Sequence, residues 1–143
     1  MAGPGQAPLG SVPGGKPAVL DTNVLFLPFT DGTDLAGELE RLLGAVEWIV
    51  PACVVRELES IAKQAGTSGR HAKSALRLAA KVRQEPTKLT GDDGILEVAR
   101  RLKAAVVTND RKLQTEAATS GLPVVVARAG GKLAMLRGGS GGL

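Results

Sequence analysis

The chain has 143 residues, 43% of them hydrophobic and only 2% aromatic, with a formal charge of +4 and a sequence pI of about 9.6. That length fits one domain with one core, and so few aromatics make the core aliphatic, which favours buried parallel strands under helices over a β-sandwich. No apolar run reaches the ~18 residues of a membrane span, and the N-terminus lacks the basic-then-apolar order of a signal peptide, so a cytoplasmic protein without a membrane partner is expected.

Residues 1–16, rich in Gly and Pro, are expected to be a disordered tail, residues 17–136 the folded domain, and residues 137–143 a flexible Gly-rich tail. Pro17 to Leu20 reads as a short buried strand ending at Asp21. Leu35, Leu39, Leu42 and Leu43 recur at helical spacing until Gly44. Trp48-Ile49-Val50 is a second strand, closed by Pro51, and a helix follows from about Cys53 to Gln64. Cys53, the only cysteine, lies among apolar residues, which makes it a core residue in a reducing compartment. Gly66 to Gly69 is a breaker cluster, after which a long helix runs from Arg70 to Arg83. Thr87-Lys88-Leu89 reads as a very short strand. Asp92 or Asp93 opens the next helix, whose apolar positions are Ile95, Leu96, Val98, Ala99 and Leu102. Ala104 to Val107 is a strand leading to Thr108-Asn109-Asp110. Another helix leads to Gly121, Pro123 to Ala127 is a strand, and residues 132–136 add a short terminal piece.

Strands alternating with helices predict crossover units, a parallel sheet, and helices on both of its faces. In such sheets ligands bind outside the carboxyl ends of the strands. Asp21 ends the first strand and Asp110 follows the Val106-Val107 strand, so both belong to that edge. Asp92 and Asp93 begin a helix that enters there, and Glu57 lies on the helix after the second strand. Each has an ordinary alternative: Asp21, Asp92 and Asp110 as helix caps, Glu57 as a solvated helix residue. Four carboxylates converging on one edge repel one another unless a cation neutralises them. An all-oxygen set suits Mg²⁺ or Mn²⁺, which polarise a phosphodiester and activate water. A dinucleotide or phosphate-loop protein would need a Gly-rich turn after the first strand. Asp21-Thr22-Asn23 offers none.

Four runs in order resemble the motifs of PIN domains: Val19-Leu20-Asp21-Thr22-Asn23, Val54-Val55-Arg56-Glu57-Leu58, Asp92-Asp93-Gly94-Ile95-Leu96 with Ala99, and Val107-Thr108-Asn109-Asp110-Arg111-Lys112-Leu113. The likeness spans nearly all of residues 18–136. It implies a three-layer fold around a parallel sheet of about five strands in the order 3-2-1-4-5, and a nuclease dependent on Mg²⁺ or Mn²⁺. By these motifs Asp21, Glu57, Asp92 and Asp110 are the metal-holding, catalytic acids. Asp93 is the alternative to Asp92, which keeps the family's offset to Ala99. Asn23 and Thr108 are polar supports. The Asp-Asp and Thr-Asn-Asp-Arg pieces look most like archaeal members near the rRNA-processing Fcf branch and the VapC-type toxins. The resemblance therefore implies endonucleolytic cleavage of RNA, either in RNA processing or as a toxin with an antitoxin protein as partner, and a family tendency to form homodimers. The Leu-rich segment from Leu35 to Leu43 is either a dimer face or part of the monomer's core. The alternative function is a non-catalytic RNA-binding or scaffold module in an RNA-processing assembly.

On the substrate side, Arg70, Lys73, Arg77 and Lys81 share one helix face by their spacing of three and four. They form either a solvated face or a stripe that meets RNA phosphates without reading sequence. Arg56 and Arg111, each beside an acid, either meet phosphate or shield the acids. With only Phe26, Phe29 and Trp48 as aromatics there is little on which bases can stack, and Trp48 belongs to a buried strand. His71, the only histidine, is a surface residue beside the basic stripe.

Overall fold

The computed structural model describes residues 10–136. β1 (Ser11–Leu20) leads into α1 (Thr22–Thr30) and α2 (Leu35–Leu43), and β2 (Val46–Pro51) into α3 (Ala52–Ala62) and α4 (Thr67–Ala79). β3 (Arg83–Glu85) leads into α5 (Gly91–Leu102), β4 (Ala105–Val107) into α6 (Arg111–Thr119), and β5 (Val124–Arg128) through a 3-10 turn into β6 (Lys132–Met135). The six strands form one sheet in the order β3-β2-β1-β4-β5-β6. All neighbours are parallel except β6, which runs antiparallel to β5. The expected order is present, and the short terminal piece adds a sixth strand at the β5 edge.

Right-handed crossovers explain the layers. The chain steps one way from β1 to β3 and the other way from β4 to β5, so its helices cover both faces. The buried strands are aliphatic, as the composition requires: Ala18, Val19, Leu20, Ile49, Val50, Val106 and Val107 are fully buried. Trp48 is in the same core.

Several boundaries differ from the sequence reading. β1 begins at Ser11 rather than Pro17, so residues 11–16, assigned above to the tail, are in the sheet. The Ser11 hydroxyl accepts a 3.0 Å bond from the backbone N–H of Trp48, and the register shifts between Ser11 and Lys16. A side chain here completes the ladder across an irregular stretch. Residues 1–9 of the expected tail and all of 137–143 lie outside the described residues. α1 was not foreseen: Pro28 interrupts it and it has no polar face, yet Asp21 caps it and Val24 and Leu25 are buried. α4 begins at Thr67, so the Gly69 of the supposed breaker lies within it. A Cβ there would stand 1.9 Å from the Gln64 carbonyl oxygen, so glycine permits the tight α3–α4 turn. The third strand is Arg83–Glu85, not Thr87–Leu89. Its three polar residues carry no hydrophobic pattern and suit an edge strand that resists further pairing.

The Leu-rich helix packs within the monomer: Leu35 and Leu39 are buried, and Leu42 and Leu43 rest against the core. Its polar side closes the β6 edge. The Leu133 N–H donates to Glu38 Oε1 at 2.8 Å, and Arg41 Nη2 donates to the Leu133 carbonyl and to Glu38 Oε1, both at 2.7 Å. The bonds from Arg41 and then from Leu133 lower the Glu38 pKa from 4.5 to about 2. A depressed carboxylate stabilises the fold above its unfolded pKa, and that contribution disappears as pH falls from 4.5 through about 2. Glu38→Gln is therefore expected to flatten this part of the acid limb, measured by thermal melts at successive pH values. An unchanged limb would show that the clamp contributes nothing to stability.

Candidate metal centre

β1 and β4 lie side by side at the point where the chain's lateral direction reverses, which is where open parallel sheets leave a crevice at their carboxyl edge. The Asp21 N–H donates to the Val107 carbonyl at 3.0 Å, so the pairing of the two strands continues to this edge. Asp21 is the N-cap of α1: Oδ1 accepts the Thr22 N–H at 2.7 Å. Oδ2 accepts the Thr108 hydroxyl at 2.6 Å and the Asn23 amide at 3.3 Å. Thr108 is fully buried, and its Oγ1 also accepts the Asp110 N–H at 3.0 Å. One hydroxyl thus couples Asp21 to the turn that carries Asp110. Asp110 caps α6, with Oδ1 accepting the N–H groups of Lys112 at 2.9 Å and Leu113 at 3.3 Å. Its other oxygen is left for the cavity.

Glu57 comes from α3, where Oε1 accepts the Thr22 hydroxyl at 2.7 Å. Sequence reasoning named Asn23 and Thr108 as supports but not Thr22, which is buried and positions Glu57. Asn23 also accepts the Asn109 N–H at 3.3 Å, which joins α1 to the β4–α6 turn. Asp92 is in the first turn of α5, one residue after Gly91 and not at the cap.

Asp21, Glu57, Asp92 and Asp110 line one cavity of about 330 Å³, together with Thr22, Asn23, Phe26, Ile61, Gly91 and Ile95. Asp93 does not. It lines a separate hollow with Glu97, Arg100 and Glu116. Burial pushes the Asp21 carboxyl above its usual range against the hydrogen bonds from Thr108 and Thr22, and the charges of Glu57 and Asp110 push it further. Asp92 is likewise raised, by burial first, then by Asp110, Asp21 and Glu116, with Lys112 acting in the opposite sense. Among the described residues the salt bridges join other acids to Arg41, Arg83 and Arg101, and none reaches these four. The cavity therefore gathers carboxylates that no salt bridge among the described residues neutralises, with Lys112 acting on Asp92 only at longer range. No three His, Cys, Asp or Glu side chains among the described residues are drawn together closely enough to hold an ion unaided. A hard divalent cation fits this arrangement, because Mg²⁺ keeps several waters and takes one or two carboxylates plus substrate oxygens.

The basic residues stand apart from the cavity. Arg70, Lys73 and Arg77 are exposed on α4, and Lys81 is exposed in the turn beyond that helix. Arg70 donates to Thr67 and Arg77 to Ser74 within their own helix. Arg111 is exposed at the start of α6. Arg56 is outside the cavity's lining, and its Nη2 donates to the Thr87 carbonyl at 3.2 Å and the Leu89 carbonyl at 3.1 Å, holding the loop that leads to α5.

α5 seats Asp92 through a close approach at Gly94. A Cβ there would stand 2.6 Å from Cys53 Sγ and 2.8 Å from the Leu89 carbonyl oxygen. Gly94→Ala is expected to push α5 away from α3, costing about 1–3 kcal/mol despite the better helix propensity of alanine. Urea denaturation measures it, and an equal or more stable variant would show that the contact yields without strain.

A family model described as a PIN like domain matches residues 18–130. Ribonuclease VapC9 of Archaeoglobus fulgidus is 33% identical over 108 residues, which are 75% of this chain and 79% of that protein. The structure of the PIN domain endonuclease Utp24 shares the fold with a TM-score of 0.69 at 24% identity, covering 96% of each chain. A domain of a functionally unknown protein from Methanocaldococcus jannaschii matches with a TM-score of 0.61 at 20% identity, covering 80% of this chain and 92% of that one.

Proposed function

This chain belongs to the PIN-like domain family, and from that premise we propose that it is a Mg²⁺- or Mn²⁺-dependent endoribonuclease that hydrolyses RNA phosphodiester bonds. The observation that carries the reading is the convergence of Asp21, Glu57, Asp92 and Asp110 on one cavity, with no salt bridge to any of the four among the described residues. These four would hold the metal, which when bound supplies Lewis-acid polarisation of the phosphate and a water acidic enough to ionise near neutral pH. Thr108, Thr22 and Asn23 fix the carboxylates so that little reorganisation is needed when charge develops. A carboxylate not saturated by metal can take the proton of the attacking water. The exposed Arg70, Lys73, Arg77 and Arg111 draw the RNA backbone toward this edge at longer range.

The likeness to Ribonuclease VapC9 supports a toxin with an antitoxin protein as partner, and RNA processing is the other role the same chemistry serves. The single buried, unpaired cysteine supports a reducing, cytoplasmic setting. One observation favours a second reading, an RNA-binding scaffold: among the described residues no three acids are gathered closely enough to hold an ion alone. Cleavage of a labelled RNA in Mn²⁺ by wild type, Asp92→Asn and Asp93→Asn separates the two. The catalytic reading predicts a loss of at least ~10²-fold for Asp92→Asn and near-wild-type cutting for Asp93→Asn. Metal-independent RNA binding without cutting by any of the three would establish the scaffold.

A further inference from the structure

The acid cavity has an apolar part that metal-assisted hydrolysis does not use. Besides the carboxylates it is lined by Phe26, Ile61 and Ile95. We propose that Phe26 is a base-stacking residue, against which one nucleobase of the RNA lies while a neighbouring phosphate meets the carboxylates. The inference rests on the ribonuclease reading and adds the part of the substrate that the site grips beside the scissile bond.

A nucleotide carries a charged phosphate and a flat, largely apolar face a short distance apart, and the cavity's lining combines the same two characters, carboxylates with Phe26, Ile61 and Ile95. Its volume of about 330 Å³ is at the lower end of small-ligand sites, roughly 300–1,000 Å³, which suits one base and its phosphate. The other two aromatics are elsewhere: Trp48 is buried in the core, and Phe29 lines a different hollow with Leu35 and Leu78. Phe26 alone joins the acids. On α1 it follows Asn23 by three residues, so the two share a face about one turn, or about 5 Å, apart. Asn23 itself donates to the Asp21 carboxylate. Phe26 is only partly buried, with one side against the core, which leaves ring surface for the cavity. Stacking on an aromatic ring tolerates any base, and the base must first leave its own stack.

The ordinary alternative is that Phe26 only packs against the core, and Phe26→Leu preserves that packing while removing the ring. The wild-type cut is first mapped in a short RNA with Mn²⁺. RNAs with one abasic residue at each position flanking the cut are then compared with the intact RNA, for wild type, Phe26→Leu and Phe26→Tyr. The readouts are kcat/KM in Mn²⁺ and Kd in EDTA by fluorescence anisotropy. Stacking predicts that Phe26→Leu weakens both by about tenfold on intact RNA, that Phe26→Tyr restores them, and that the loss vanishes on the one RNA missing the stacked base. A loss of equal size on every RNA, or no loss on any, would overturn the proposal. If wild type cuts nothing, the ribonuclease reading fails separately. The same abasic series, spread along the whole RNA and read by Kd in EDTA, then decides Phe26 by the same two outcomes.

Discussion

Asp21→Asn is expected to abolish RNA cleavage while making the metal-free protein more stable at neutral pH. The loss of rate follows from removing a charged oxygen from the proposed metal-holding set, a change of several kcal/mol in transition-state stabilisation, or at least ~10³-fold. The gain in stability follows from the direction of the Asp21 pKa. Burial, then Glu57 and Asp110, raise it above 3.8 despite the bonds from Thr108 and Thr22. A carboxyl whose folded pKa is raised favours folding while it is protonated, below pH 3.8, and that advantage is lost as pH rises through the folded value. Above pH 3.8 Asp21 therefore weighs against folding. Asparagine keeps an oxygen for the Thr22 N–H and removes the charge, but its amide nitrogen cannot accept the bonds that Oδ2 takes from Thr108 and Asn23, so the expected gain is the relieved burial and repulsion less those two bonds. Thermal melts in EDTA should show Asp21→Asn above wild type near neutral pH, with each ~1 kcal/mol worth roughly 2–8 °C, and the difference should vanish below pH 3.8. Saturating Mn²⁺ should reverse the order, since an ion that binds only the native wild type stabilises it by mass action. A variant that is less stable than wild type in EDTA at pH 7 would show that the carboxylate is a structural cap rather than a strained ligand.

Thr108→Val is expected to be the most damaging single change outside the acids. The substitution nearly preserves shape, but it removes both functions of the hydroxyl: donation to Asp21 Oδ2 at 2.6 Å and acceptance from the Asp110 N–H at 3.0 Å. Each partner left unsatisfied costs about 1–3 kcal/mol when buried, and Thr108 itself is fully buried. The sum, about 2–4 kcal/mol because Asp110 is only partly buried, is a large fraction of the stability of a domain of this size. Activity should fall as well, by roughly 10–100-fold, the usual effect of losing a partner that orients a metal ligand. Thr108→Ser retains the hydroxyl and should recover most of both. Urea denaturation and cleavage assays on the three proteins check this. A Thr108→Val protein with wild-type stability would mean that the hydroxyl is not what couples the two strand ends.

The parts of this arrangement that were legible in the sequence are those that depend on local chain. Val19-Leu20 and Val106-Val107 are apolar runs that end near Asp21 and Asp110, so their edge placement followed from strand geometry alone. Trp48 was assigned to the core on the same grounds. The missed parts depend on distant partners. Thr22 bonds Glu57 across 35 positions, and nothing in the Asp-Thr-Asn run distinguishes such a threonine from an ordinary turn residue. Phe26 lies in a helix that was not foreseen, because Pro28 and an unpatterned apolar stretch hide it. Beside Glu57, Arg56 reads as meeting phosphate or shielding the acids, and its reach to the Thr87 and Leu89 carbonyls, which follows from how α3 faces the loop before α5, has no signal in the sequence. β3 was displaced because Arg83-Gln84-Glu85 is polar throughout, and an edge strand held by backbone bonds needs no hydrophobic signal. Asp92, preferred over Asp93 for its offset to Ala99, is the one that lines the cavity with the other three acids, because adjacent residues on α5 point about 100° apart.

Single-turnover cleavage of a labelled structured RNA by one wild-type preparation tests the central claim most directly, assayed after EDTA treatment and again after Mn²⁺ is added back. The acid cavity predicts no cutting in EDTA, full recovery with Mn²⁺, and no recovery in Asp21→Asn prepared in parallel. Cutting that persists in EDTA, or that Asp21→Asn retains, would contradict a metal-dependent nuclease centred on these four carboxylates.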